Sequence, residues 1–116
     1  MFNVMKILIV EDNLQVRRMI CRFVREFSDE IREENDGVNA LSAYRDFQPD
    51  WVLMDIQMKQ MNGIEASKEI IAEYPKAKIV IVTSHNSPAL REKAKEAGIS
   101  GFILKENLSD LREILV

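Results

Sequence analysis

The chain has 116 residues, of which 47% are hydrophobic and 30% charged, and its formal net charge is -3. This length suits one hydrophobic core, so we expect residues 1–116 to form a single domain. A single cysteine excludes an internal disulfide framework, and basic residues scattered among acids disfavour direct nucleic-acid binding. The sequence has no apolar run long enough to span a membrane, and residues 1–6 show no export signal. We therefore expect a cytoplasmic protein with no membrane contact.

The first predicted elements are a strand, a helix and a weaker strand. A short apolar run at residues 7–10 predicts a buried strand, and apolar residues at three-to-four spacing then predict an amphipathic helix at residues 14–27. Residues 30–34 contain only one apolar side chain, that of Ile31. We therefore place this strand near an edge of the sheet.

The middle of the chain predicts two helices around a third strand. Apolar residues from Val38 to Phe47 support a helix that Pro49 ends, because proline disfavours helix continuation. The apolar run at residues 51–54 predicts another buried strand. A third helix is predicted at residues 64–74, directly before a second proline.

The last third predicts two strands and two helices. Apolar runs at residues 79–82 and 102–104 predict strands, and a helix lies between them. Ser87 precedes a proline at the first helical position, and Gly98 stands where a left-handed C-terminal cap is common. A short final helix is predicted at residues 109–116.

Strands and helices thus alternate five times along the chain. Such alternation indicates parallel strands joined by right-handed helical crossovers, with helices on both faces of the sheet. In open sheets of this α/β class, ligands bind beyond the carboxyl ends of the strands, where the strand order reverses. Candidate functional residues are therefore sought directly after each strand.

Polar or charged residues follow each of the four strong strands: Glu11 and Asp12, Asp55, Thr83 and Ser84, and Lys105. Three carboxylates at one edge would repel each other, so Lys105, a divalent cation or both must offset their charge. Oxygen ligands without a cysteine or histidine cluster suit Mg²⁺ better than zinc. The alternative is that strand ends meet solvent and attract polar residues without any function.

Five segments together resemble one protein family, the receiver domains of two-component response regulators. They are ILIVEDN at 7–13, PDWVLMDIQM at 49–58, MNGIEA at 61–66, IVIVTS at 79–84 and GISGFILK at 98–105. The resemblance covers the whole chain and keeps the family's order and spacing. It implies a flavodoxin-like doubly wound sheet of five parallel strands in the order 2-1-3-4-5.

The resemblance also implies a role for the acidic residues. Asp55 would accept a phosphoryl group from a phosphohistidine on a partner sensor histidine kinase, a reaction that needs mainly positioning and charge stabilisation. Asp12, Asp55 and the backbone carbonyl of Gln57 would hold Mg²⁺, and Glu11 would act on it directly or through water.

Three further residues receive roles by the same resemblance. Lys105 would contact one phosphoryl oxygen and the Thr83 hydroxyl another. As Thr83 moves, Phe102 would change its packing and shift the population of two states of the face formed by helix 4, strand 5 and helix 5. That face would bind an output partner or a second copy. The alternatives are that Phe102 is only a core residue and that Thr83 only ends a strand.

The positions around Asp55 and Thr83 suggest control of signal lifetime. In the resembling family, the positions of Gln57 and His85 influence how fast the acyl phosphate hydrolyses, and the small Ser84 leaves the site accessible. His85 itself, a lone loop histidine, receives no catalytic role. Cys21 is interpreted as a small core residue rather than a reactive thiol.

Two prolines that are common in the family are absent here. Lys59 and Glu106 occupy their positions. A cis bond before a residue other than proline costs roughly 3 kcal/mol, so a cis peptide between Lys105 and Glu106 is not expected. The loop that contains Lys59 should be somewhat more mobile.

Two other functions compete with a phosphorylated receiver. A phosphatase with a nucleophilic aspartate needs a second acid two residues after Asp55, where this chain has Gln57, so we expect no turnover enzyme. A receiver-like binding module without phosphorylation is disfavoured because the acids, Thr83 and Lys105 are all present. The segment at 98–106 looks most like receivers attached to DNA-binding output domains, which suggests transcription regulation.

Overall fold

Five parallel strands form one sheet in the computed structural model, which describes residues 5–116. The strands are β1 (Lys6–Val10), β2 (Glu30–Glu34), β3 (Trp51–Met54), β4 (Ile79–Thr83) and β5 (Gly101–Leu104). Their order is β2-β1-β3-β4-β5, and all four pairings are parallel. The predicted strand order and the edge position of the weak second strand are confirmed.

Five helices cover the two faces of this sheet. They are α1 (Leu14–Val24), α2 (Ala40–Phe47), α3 (Gly63–Glu73), α4 (Pro88–Glu96) and α5 (Leu111–Leu115). Helices α2, α3 and α4 pack on one face, and α1 and α5 pack on the other. The fold is therefore the doubly wound α/β arrangement that the alternation of elements predicts.

The core consists of two apolar layers that share the sheet. In β1, Leu8 and Val10 contact the α2–α4 layer, whereas Ile7 and Ile9 contact the α1–α5 layer. All four side chains are fully buried. Burial on both faces explains why the strands read as continuous apolar runs rather than as alternating ones.

The caps of α4 agree closely with the sequence signals, but the end of α1 does not. The side chain of Ser87 accepts a hydrogen bond from Leu90 N at 3.3 Å, and Gly98 has a φ of +86°, as the predicted caps of α4 require. Helix α1 was predicted to reach residue 27, yet it ends at Val24. Phe27 N donates to Val24 O at 3.1 Å, so the last turn tightens and leaves the α-helical path.

Two other predicted helix boundaries are corrected. The last helix begins at Leu111 rather than at residue 109, because a 3₁₀ run over Lys105–Asp110 precedes it and Asn107 has non-helical backbone angles. Val38 belongs to a short 3₁₀ turn, Gly37–Asn39, before α2 and is 51% exposed, so it is not part of the buried face. Local periodicity does not distinguish such turns from the helices that follow them.

The backbone contains no cis peptide bond within residues 5–116, so the bond between Lys105 and Glu106 is trans. In this same range, every helix is too short or too polar to cross a membrane. The expectation that residues 1–6 contain no export signal concerns mainly residues 1–4, which lie outside the described part of the chain.

Candidate phosphoryl-transfer site

Three carboxylates meet at the carboxyl edge of the sheet. Glu11 and Asp12 directly follow β1, and Asp55 directly follows the neighbouring strand β3. One carboxylate oxygen from each residue lies within 4.8 Å of the other two. Backbone hydrogen bonds fix this arrangement, since Asp55 N donates to Val10 O at 3.0 Å. The site lies beside β1, where the strand order reverses, as the rule for open α/β sheets predicts.

Lys105 brings a positive charge to these carboxylates from the end of β5. Its Nζ lies 2.8 Å from Glu11 Oε1 and 3.4 Å from Asp55 Oδ1. The side chain of Lys105 is largely buried, and Glu11 and Asp55 are 1% and 5% exposed. Water therefore screens these charges weakly, and the three groups behave as one coupled cluster.

Burial dominates the protonation of this cluster. The pKa of Glu11 is raised from 4.5 to about 7, chiefly by burial; Lys105 opposes this increase and the charge of Asp55 adds to it. Burial likewise raises the pKa of Asp55, although Lys105 opposes this. Burial alone would lower the pKa of Lys105, but its contacts with Glu11 and Asp55 produce a net increase. The cluster thus has a deficit of positive charge.

The donor set suits a divalent cation. Glu11 Oε1 is buried and lies 2.8 Å from Lys105 Nζ, the one ammonium group that faces the three carboxylates among residues 5–116. One ammonium cannot neutralise three carboxylates, so a further cation would offset the remaining negative charge. The carboxylates of Glu11, Asp12 and Asp55 provide only oxygen ligands, which hard cations prefer. Gln57 is exposed and begins the loop after Asp55.

Thr83 and Phe102 lie on the two strands next to this cluster. Thr83 is fully buried at the end of β4, and its Oγ1 accepts a hydrogen bond from His85 N at 3.3 Å. Ser84 and His85 are exposed. Phe102 in β5 is only half-buried, and the guanidinium of Arg91 in α4 lies 4.5 Å from the centre of its ring. Phe102 therefore lies at the surface between α4 and β5 and is not a fully buried core residue.

The sequence reasoning missed two residues that shape the loop between β3 and α3, residues 55–62. Gly63 N donates to Ile56 O at 2.8 Å, and a Cβ at Gly63 would lie 1.8 Å from the carbonyl oxygen of Asp55. Only glycine permits this approach. Asp36, in the loop after β2, accepts a hydrogen bond from Gln60 N at 3.2 Å. The Asp36-Gly37 pair was a visible signal of a turn, but its partner lies 24 residues away.

A surface groove of about 820 Å³ lies away from the carboxylates, along α1. Its lining includes four arginines: Arg17, Arg18, Arg22 and Arg25. Cys21 borders the groove but is itself buried, and burial, with the nearby Glu33, raises the pKa of its thiol to about 11. A protonated, buried thiol agrees with its interpretation as a core residue.

Comparison with known proteins identifies the family. The family model described as "Response regulator receiver domain" matches residues 7–116. This chain belongs to the receiver-domain family. The receiver is 37% identical over 101 residues to the chemotaxis protein CheY of Thermotoga maritima, which covers 86% of this chain and 84% of that protein. It is 32% identical over 111 residues to the transcriptional regulatory protein DegU of Brevibacillus brevis.

The match to DegU covers 93% of this chain but 47% of DegU, so the receiver spans about half the length of the first regulators that it matches. Solved structures agree on the fold. A two-component response regulator of the LuxR family from Aurantimonas matches with a TM-score of 0.89 at 32% identity, covering 96% of this chain and 81% of that one. Chemotaxis protein CheY4 of Vibrio cholerae matches with a TM-score of 0.89 at 26% identity, covering 97% of both chains.

Membership of this family makes the chain a signalling domain of two-component systems. Phosphorylation on an aspartate and dependence on Mg²⁺ are general features of the family, and several relatives are transcription regulators. The acidic cluster at Glu11, Asp12 and Asp55 is a site where a metal ion could bind.

Proposed function

We propose that Asp55 accepts a phosphoryl group from a phosphohistidine on a sensor histidine kinase. The observation that carries this proposal is the buried cluster in which Lys105 Nζ lies within 3.4 Å of both Glu11 and Asp55. An Asp55 carboxylate oxygen attacks the phosphorus, the phosphorus–nitrogen bond breaks, and the imidazole leaves with the bonding electron pair. The product is an acyl phosphate on Asp55.

Mg²⁺ is the cation that the proposal assigns to the cluster. Glu11, Asp12, Asp55 and the backbone carbonyl of Gln57 would hold it. When bound, it supplies positive charge that offsets the carboxylates and the incoming phosphoryl oxygens. The excess of three carboxylates over the single ammonium of Lys105 supports this assignment.

Lys105 and Thr83 complete the binding of the phosphoryl group. Lys105 is a mobile point charge already next to Asp55, and it moves from the carboxylates to a phosphoryl oxygen. The Thr83 hydroxyl, on the neighbouring strand, donates to another phosphoryl oxygen. At present Thr83 Oγ1 accepts a hydrogen bond from His85 N, a contact that does not use the hydroxyl proton.

The movement of Thr83 is proposed to reach the surface through Phe102. The ring of Phe102 lies between β5 and α4, so a change in its packing alters the face formed by α4, β5 and α5. This face is the proposed contact for an output partner or a second copy. With a transcription-regulating output, phosphorylation would shift the population of two states of the face.

The chain is proposed to act as a phospho-acceptor and not as a turnover enzyme. Gln57 has no ionisable carboxyl group, so it cannot act as a general acid two residues after Asp55. Gln57, Ser84 and His85 are all exposed near the site and would tune the lifetime of the acyl phosphate. We assign residues 1–116 to one receiver domain in the cytoplasm, with no direct contact to nucleic acid or to a membrane.

The test is phosphorylation with a small-molecule donor. Incubation with acetyl phosphate and Mg²⁺ should add one phosphoryl group to the intact chain, measured by mass spectrometry, and EDTA should abolish the addition. Mass is the preferred signal because Trp51 lies at the opposite end of β3 from Asp55. We also expect no steady-state hydrolysis of a phosphate ester.

Two variants control this experiment. Asp55→Asn should remain unmodified, whereas Asp50→Asn, an exposed aspartate at the other end of β3, should be phosphorylated like the wild type. An unmodified wild type, or equal modification of Asp55→Asn, would contradict the proposal and favour a receiver-like binding module.

A further inference from the structure

The loop between β3 and α3 is held by a buried carboxylate from a different part of the chain. Asp36 is 8% exposed and follows β2. Its Oδ1 accepts a hydrogen bond from Val38 N at 3.0 Å, and its Oδ2 accepts one from Gln60 N at 3.2 Å. Each carboxylate oxygen thus fixes a different backbone segment, so one side chain joins the turn before α2 to the loop beside Asp55.

The backbone next to Asp36 packs against the same loop. A Cβ at Gly37 would lie 2.8 Å from the carbonyl oxygen of Met61 and 3.1 Å from the Met58 side chain. This close approach requires glycine, so the Asp36 hydrogen bond and the Gly37 packing act on adjacent residues of one loop. The far end of the loop is fixed separately, where Gly63 N donates to Ile56 O.

The Asp36 contact acts on the residue directly after Lys59. Lys59 is exposed and, lacking the ring of proline, leaves its φ angle free. A hydrogen bond at the next residue, Gln60, restricts the same stretch of backbone from outside. The restriction matters because Gln57, in the same loop, is the proposed source of the carbonyl ligand for Mg²⁺.

We propose that Asp36 is a positioning residue for the phosphoryl-transfer site. By holding Gln60 N it keeps the loop over Asp55, which favours binding of Mg²⁺ and limits the access of water to the acyl phosphate. The effect of Asp36 on the lifetime of the acyl phosphate rests on the proposed function. The effect of Asp36 on Mg²⁺ binding depends only on the acidic cluster.

Asp36→Asn tests the proposal with little change in shape. An amide accepts only one of the two N–H groups and turns its own NH₂ toward the other. Affinity for Mg²⁺, measured by calorimetry, should fall by about tenfold, the lower end of the range for residues that orient metal ligands indirectly. The half-life of the phosphorylated chain after removal of acetyl phosphate should shorten in parallel.

Asp50→Asn is the matched control. The Asp50 carboxylate also joins two distant segments, since its Oδ2 accepts a hydrogen bond from Lys6 N at 2.7 Å, but at the opposite end of the sheet. It should lower stability without changing Mg²⁺ affinity or phosphoryl half-life. A purely structural role for Asp36 would make the two variants alike, and that outcome would overturn the proposal.

A measurement on the wild type does not depend on the folding of any variant. If the hydrogen bond from Gln60 N to Asp36 favours Mg²⁺ binding, then bound Mg²⁺ must favour formation of that hydrogen bond by the same factor. Mg²⁺ should therefore slow hydrogen exchange of the Gln60 and Val38 amides together and leave the Lys6 amide unchanged. An unchanged rate at both Gln60 and Val38 would overturn the proposal. Failure of acetyl phosphate to modify the wild type would instead refute the proposed function.

Discussion

Burial controls the behaviour of individual residues at the edge of the sheet, and Glu11 is the clearest case. Its carboxylate is 1% exposed and has a pKa of about 7, raised by burial and by Asp55. The folded chain therefore binds a proton at Glu11 more tightly than the unfolded chain does. A group of this kind contributes stability below its unfolded pKa and loses that contribution as pH rises through its folded pKa.

The first prediction concerns how the stability of the folded chain changes with pH. In EDTA, the contribution of Glu11 should be fully present below pH 4.5 and lost by about pH 7. Glu11→Gln, which mimics the protonated form, should be more stable than the wild type at pH 8 by about 2 kcal/mol. Below pH 4.5 the two should be equally stable, as measured by urea denaturation across this pH range.

Mg²⁺ should reverse the order of these two proteins. Saturating Mg²⁺ at pH 8 stabilises the wild type through binding, whereas Glu11→Gln lacks one ligand. Glu69→Gln, an exposed change on α3, is the control and should follow the wild type throughout. If the difference in stability between the wild type and Glu11→Gln did not change between pH 4.5 and pH 8, the claim that burial raises the pKa of Glu11 would be wrong.

At the scale of elements, helix caps connect the site to the secondary structure. Asn13 caps α1, because its side chain accepts a hydrogen bond from Val16 N at 2.9 Å, and its backbone N–H donates to Glu11 Oε2 at 3.1 Å. The start of α1 thus also orients a carboxylate of the site. Asn39 occupies the corresponding position of α2 without any side-chain cap.

Asn13→Ala should therefore lower the free energy of unfolding by about 1 kcal/mol, the usual value of an N-cap. Asn39→Ala should have little effect, because no capping hydrogen bond is lost. Urea denaturation of the two variants beside the wild type measures the difference. Equal losses of stability would show that the Asn13 hydrogen bond contributes nothing specific.

The contact between α4 and β5 provides a second prediction at this scale. Arg91 stacks on Phe102 and stabilises the present position of the ring by about 0.5 to 1 kcal/mol, the range for exposed cation–π pairs. Removing it with Arg91→Ala should shift the proposed two-state equilibrium of the face formed by α4, β5 and α5 toward its other state, by about two- to fivefold. Phosphorylation by limiting acetyl phosphate should then be faster.

Lys95→Ala is the matched control. Lys95 and Arg91 both line a small groove beside Phe102, but among residues 5–116 only Arg91 makes a cation–π contact with the ring. It should leave the phosphorylation rate unchanged. If both variants accelerate phosphorylation equally, the loss of positive charge is responsible and the stacking is not.

At the scale of the whole molecule, one sheet joins two apolar layers. Leu111 in α5 is fully buried in the layer with α1, on the face opposite α2, α3 and α4. Every strand except the edge strand β2 contributes buried side chains to the core. Because both layers pack on the same sheet, loss of one layer removes the support of the strands on which the other layer packs. Unfolding should therefore be a single cooperative transition.

Leu111→Ala tests this cooperativity. The cavity should cost about 3 kcal/mol, within the usual range for a buried leucine. Leu14→Ala, at a side chain that is 47% exposed, should cost far less. Far-ultraviolet circular dichroism and Trp51 fluorescence should report the same shifted midpoint in urea, whereas separate midpoints would indicate that the two layers unfold independently.

Much of the fold is determined by local patterns in the sequence. Short apolar runs bounded by polar residues specify the strands, and caps such as Ser87 and Gly98 specify where α4 starts and ends. The predicted strands agree with the structure to within one residue at each end. The end of α1 and the start of α5 were wrong because 3₁₀ turns continue the apolar spacing without continuing the helix.

The sequence by itself determined which residues lie at the carboxyl edge of the sheet, because the residue after each parallel strand must lie there. Only the tertiary structure decided how they interact: the depth at which Glu11 is buried, its distance from Lys105, and the hydrogen bond from Gln60 to Asp36. Strand periodicity is a local property of the chain. Desolvation and hydrogen bonds between distant loops depend on how the whole chain packs, and so no local pattern encodes them.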